Sequence, residues 1–140
     1  MSDMNPLQNL HYALGELAYA IARADGKVQE SEKKRFHSIV VAELRMGNYD
    51  FDLSDIIFQI MEKEHIDAET SYKWAMNEIR LNSHYLSPEL KHTFIRVMEK
   101  VGRAYPPVTI QEKELLDKFK TDIAPIVGDP VFYEKSNKRV

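Results

Sequence analysis

The chain has no cysteine. Disulfides, thiolate nucleophiles, thiolate zinc sites and iron–sulfur clusters are therefore excluded, and any metal must be held by carboxylate, carbonyl, amide or imidazole groups. Glycine is scarce: its five copies are widely separated, so no glycine-rich loop is present to cradle a phosphate. No stretch of about 18 apolar residues is present. The polar start from Met1 to Gln8 lacks the basic segment and apolar run of a secretory signal, so the expectation is a cytoplasmic protein without a transmembrane segment. Lys and Arg number 19 against 22 Asp and Glu, and this net charge of -3 gives no electrostatic case for nucleic acid. Strand alternation and Asn-Gly hairpin signals are missing as well.

What remains is helical periodicity. With 44% hydrophobic and 29% charged residues over 140 positions, the chain suits one globular domain. Pro6 opens a first helix whose stripe is Leu7, Leu10, Leu14, Leu17 and Ile21. A second helix is expected from about Glu30 to Leu44, burying Phe36, Ile39, Val40 and Leu44 while Lys33, Lys34 and Arg35 face solvent. Ser54 is placed as the cap of a third, with Ile56, Ile57, Ile60 and Met61 as its apolar set. Asp67 caps a fourth, which carries Tyr72, Ala75, Met76 and Ile79, with Trp74 to one side. Ser87-Pro88-Glu89 starts a fifth, with the stripe Leu90, Phe94, Val97 and Val101. Thr109 and Glu112 form a capping box for a sixth, with Leu115, Leu116, Phe119 and Ile123 facing in. The expectation is an all-α, compact single-domain bundle of six to seven helices over 1–124 and an extended C-terminal tail over 125–140, anchored by Val131, Phe132 and Tyr133.

Between the first two helices lies the most informative turn, Ala24-Asp25-Gly26-Lys27-Val28, followed by Glu30 and Glu32. Asp-Gly-x-hydrophobic with a Glu four residues later is the second half of an EF-hand calcium loop. The first half is overwritten, because Ile21 and Arg23 stand where its leading carboxylates belong. Two roles stay open. Asp25, Glu30 and Glu32 can chelate a hard divalent cation, Ca2+ or Mg2+ ahead of Zn2+, which prefers imidazole. Alternatively Asp25 bonds the backbone of its own turn, Gly26 supplies a positive φ and Glu32 caps the next helix.

The turn has an echo. Laying Ile21-Ala22-Arg23-Ala24 on Val101-Gly102-Arg103-Ala104 also lays Val28 on Val108, Glu32 on Glu112 and Lys33 on Lys113 without a gap. The match suggests two pseudo-repeated helix-turn-helix units, or one turn geometry used twice, the second copy having Tyr105-Pro106-Pro107 in place of the acid and the glycine.

The Ala-rich helix end Leu17 to Ala22, the Ala24-Asp25-Gly26-x-Val28-x-x-x-Glu32 turn and its echo near Ala104 resemble the tellurite-resistance TerB-like family. They are also similar to the N-terminal region of a membrane-anchored DnaJ-like co-chaperone. The resemblance covers most of residues 7–123. It implies a compact helical fold, a link to tellurite or envelope stress, a metal-binding surface and protein partners, membrane-associated ones among them, with no settled enzymatic activity. Asp25, Gly26 and Glu32 are the family's motif residues present here.

Two further patterns bear on function. Glu62-x-x-His65 and Glu89-x-x-His92, with Glu16 and Glu43, match the ligand types of a carboxylate-bridged di-iron enzyme. At about 100° per residue, however, Glu62 and His92 fall opposite the apolar stripes of their own helices. Tyr12, Tyr19, Tyr85 and the Val131-Phe132-Tyr133 segment mark either a partner or homodimer surface, or internal packing, which residue chemistry favours; His11, His37 and His84 are scattered and expected at the surface. The reading is a non-enzymatic TerB-like interaction module, with the metalloenzyme and a metal-free scaffold or dimer as alternatives.

Overall fold

A computed structural model describes residues 5–24, 34–39, 42, 51–103 and 109–137. All regular structure among the described residues is helical. Helix α1 (Pro6–Arg23) is followed by helical residues 34–39, then α2 (Phe51–Lys63), α3 (Ala68–Leu81), a 3-10 turn (Ser83–Tyr85), α4 (Pro88–Gly102), α5 (Ile110–Ile123) and α6 (Pro130–Asn137). Among the described residues no helix is long and apolar enough to cross a membrane.

The expected local signals set most boundaries. Asn5 and Gln8 form a reciprocal capping box at the start of α1, with Pro6 in its first turn. Asp67 accepts the Thr70 N–H, Ser87 the Leu90 N–H, and Thr109 exchanges bonds with Glu112. Each cap satisfies N–H groups that the helix itself leaves without acceptors. At the end of α2, His65 has a φ of 55°. Its N–H bonds Glu62 O while Ile66 N–H reaches Met61 O, a Schellman closure in which glycine is the usual residue.

Helix α1 is the axis of the domain. From Leu10 to Ala22 every residue except Tyr12 is buried, including His11 and Glu16, because α2 and α3 flank it closely and α4 and α5 close the remaining sides. A single apolar stripe accounts for only part of this; the small residues Ala13, Gly15, Ala18, Ala20 and Ala22 admit neighbours on the other faces. Gly15 is the tightest point, where a Cβ would stand 2.5 Å from Ser54 O and 2.9 Å from Ile57 Cβ. Two serines tie the flanking helices to α1: Ser54 Oγ donates to His11 O and Ser71 Oγ to Glu16 O, each at 2.8 Å.

Four expectations are corrected here. Ser54 is no cap, since α2 begins at Phe51 and Ser54 spends its hydroxyl on α1. His11 is buried rather than at the surface, with Nδ1 2.7 Å from Leu7 O. The α2 apolar set divides: Ile57, Phe58 and Met61 are buried, while Ile56 and Ile60 are 51% and 46% exposed along the adjoining edge of the helix. The C-terminal stretch is not wholly extended either. Asp129 Oδ1 accepts the Val131 N–H, Pro130 sits in the first turn, and α6 results. Phe132 anchors α6 against His84 and Tyr85, at ring-centroid distances of 4.8 and 5.4 Å, whereas Val131 is exposed. Gly128 permits this approach, as a Cβ there would lie 2.3 Å from Leu86 O.

Candidate functional site

The expected cation ligands Asp25, Glu30 and Glu32 lie outside the described residues, as do Glu43 and the second turn over 104–108. The described part of the echo is Glu112, which is buried and accepts the Thr109 N–H at 3.0 Å, so in the second unit this glutamate is a helix cap. The four residues of the di-iron pattern sit at helix ends: Glu62 and His65 where α2 closes, Glu89 and His92 where α4 opens. His65 and Glu89 are exposed. Among the described residues no three His, Asp or Glu side chains converge as metal ligands.

A groove of about 960 Å³ lies between residues 34–39 and α2. Its floor carries Ile56 and Ile60, one helical turn apart. Helix α2 turns Ile57, Phe58 and Met61 inward, where Phe58 stacks on Phe36 at 4.6 Å and meets Tyr19 edge-on at 5.8 Å. That packing fixes the rotation of α2 and leaves the Ile56–Ile60 edge outside the core. One bond spans the groove, from His37 Nδ1 to Asp55 Oδ2 at 2.9 Å, and Gln59 Nε2 donates to the same oxygen at 3.2 Å. Lys34 and Lys63 complete the rim and form no ion pair among the described residues.

A second feature is buried chemistry that sequence reasoning placed only as a spare ligand. Glu16 is 4% exposed on α1, with Glu78 of α3 nearby. Burial, and then the Glu78 charge, push the Glu16 carboxyl up to about 8, so it holds a proton at neutral pH. Burial and the same two carboxyls raise Tyr12, one turn earlier on α1. Glu78 is held through Asn82, whose Nδ2 donates to Glu78 O at 2.8 Å and lies 3.4 Å from Glu78 Oε2; Asn9 Nδ2 donates to Asn82 Oδ1. Tyr19 and Tyr72 belong to packing: Tyr19 O–H donates to Ile66 O, and Tyr72 O–H donates to Asp122, whose carboxyl is held below its usual range by that bond and by Lys118.

No family model, no curated protein and no solved structure matches this chain.

Proposed function

We propose that this chain is a non-enzymatic, TerB-like interaction module of a cytoplasmic stress response, which seats a protein partner in the groove beside α2 and takes a divalent cation at the Asp25 turn. The observation that carries the interaction part is the exposed Ile56–Ile60 edge. Two half-exposed isoleucines on the floor of a concave surface keep apolar area in water that a partner would cover, at about 25 cal/mol per Å² removed from water. A groove flanked by two helical segments suits a helix laid along it. The stress and cation parts rest on the TerB-like resemblance of Ala24-Asp25-Gly26-x-Val28-x-x-x-Glu32.

Complementation tests this. In a host lacking its own copy, the wild-type chain should restore growth under tellurite or envelope stress, and Ile56→Glu/Ile60→Glu should fail to do so while melting within a few degrees of wild type. A deletion strain indifferent to both stresses overturns the stress assignment. Full rescue by the double variant overturns the groove.

A further inference from the structure

Two helical faces from separate parts of the chain line a hollow of about 450 Å³. Arg35, Ser38, Ile39 and Ala42 recur at the i, i+3, i+4 and i+7 spacing of one face, and Lys100 and Arg103 lie three apart at the C-terminal end of α4. Every charged side chain among these six is a cation. Neither the Arg35 nor the Arg103 guanidinium has an ion pair or hydrogen bond among the described residues, while Lys100 has a further contact of its own. Glu99, next to Lys100 on α4, feels the Arg103 charge but accepts its bond from Lys120 Nζ at 2.6 Å. Even with this carboxylate counted in full and Lys120 left out, the three cations outnumber it.

A basic residue at the end of a helix is expected from the helix dipole, which accounts for Lys100 and Arg103. It does not account for Arg35, which a separate segment brings to the same hollow. Cations gathered round one hollow repel one another unless an anion lies between them. The remaining lining is the buried Ile39, Ala42 and the Ser38 hydroxyl, which now reaches Lys34 O at 3.3 Å and can turn to a ligand oxygen instead. A carboxylate is planar and singly charged, and one guanidinium fork satisfies it. A phosphoryl group carries close to two charges at neutral pH and three outward oxygens, which match cations arriving from two sides. The hollow is also larger than an inorganic ion needs and falls within the roughly 300–1,000 Å³ of small-molecule sites. We propose that it binds a small phosphomonoester, the phosphoryl group held between Arg35 and Arg103 with Lys100 beside it, the organic part against Ile39 and Ala42. This site is independent of the Ile56–Ile60 edge and of the Asp25 turn.

Phenyl phosphate titrated into the 15N-labelled full chain at fixed ionic strength should move the amide signals of residues 35–39, Lys100 and Arg103, with a Kd below about 1 mM. Inorganic phosphate should bind more weakly, and benzoate about tenfold more weakly. Lowering the pH from 7.5 to 5 should cost about tenfold, because the phosphoryl group takes up its second proton near a pKa of about 6 while arginine and lysine stay charged. Arg35→Ala and Arg103→Ala should each weaken binding about tenfold. Lys63→Ala/Lys73→Ala, which removes two exposed cations from α2 and α3, should leave the affinity unchanged. An equal loss in that double variant makes the effect one of net charge and overturns the site. Shifts of the wild-type signals that cluster elsewhere, or no shift at about 10 mM phenyl phosphate, overturn it without any variant having to fold. Benzoate bound as tightly as phenyl phosphate overturns the phosphoryl assignment, and inorganic phosphate bound as tightly overturns the ester.

Discussion

Replacing Glu16 with glutamine should make the domain more stable, and increasingly so as pH rises from 5 to 8. The carboxyl sits in the middle of α1, 4% exposed, where burial and the Glu78 charge lift it from an ordinary 4.5 to about 8. The folded state therefore binds this proton more tightly than the unfolded chain does. Between those two values the folded state holds about one proton more, so stability falls as pH rises, by about 1.4 kcal/mol per unit, and levels off above 8. Integrated to pH 7, the wild-type domain loses about 3 kcal/mol relative to acid conditions, a large share of the 5–15 kcal/mol typical of a domain. The amide in Glu16→Gln keeps the shape of the protonated side chain and carries no titration, so the difference between the two proteins isolates Glu16 from the five histidines that both contain. Urea unfolding followed by far-ultraviolet circular dichroism at pH 5, 6, 7, 8 and 9 gives the two profiles. They should lie closest at pH 5 and separate by about 3 kcal/mol at pH 7. Glu78→Gln should leave most of the slope, because burial is the larger cause. Parallel profiles for wild type and Glu16→Gln across the range would refute the reasoning.

Gly15→Ala should destabilise by about 1–3 kcal/mol despite alanine's better helix propensity, because the new methyl meets Ser54 O at 2.5 Å; a gain in melting temperature would show that α2 can retreat without cost. Calcium, magnesium or zinc should raise the melting temperature of the purified protein, and Asp25→Asn should abolish the rise. No shift with any of the three ions removes the cation from the proposed function.

Helix starts were legible because their signals are local. Asp67, Ser87 and the Thr109–Glu112 box each act within one turn, and each is found in place. The stripes of α4 and of the inner half of α5 were legible for the same kind of reason, periodicity within one helix: Leu90, Phe94, Val97 and Val101 are all buried, as are Phe119 and Ile123. What sequence could not show is how many neighbours a helix acquires. The Leu7–Ile21 stripe marked one face of α1, whereas the other faces are covered through alanines and Gly15, residues that read as neutral until helices press on them. Glu16 and His11 are buried by that surrounding and not by their own character. Ile56 and Ile60 show the reverse. Ile56, Ile57 and Ile60 fall within about 100° of one another around α2 and read as one core stripe, whereas the packing of Phe58 on Phe36 and Tyr19 turns the helix so that Ile56 and Ile60 lie outside the core. Ser54 reads as a cap from its side chain alone, yet its hydroxyl is spent on the carbonyl of a residue far away in sequence. The groove was therefore outside the reach of pattern analysis, while the Asp25 turn was read from its motif and lies outside the described residues.

An axial helix that comes before its neighbours has a cost in biosynthesis. During translation α1 precedes every helix that covers it, so its leucines, alanines and buried carboxyl emerge with nothing to pack against until α2, α3, α4 and finally α5 follow. The domain cannot be completed piecemeal in the order of synthesis. A ribosome stalled before α2 and α3 were made would hold a nascent chain with its hydrophobic axis uncovered, a natural client for a holding chaperone, and α5 would close only the last side of the axis.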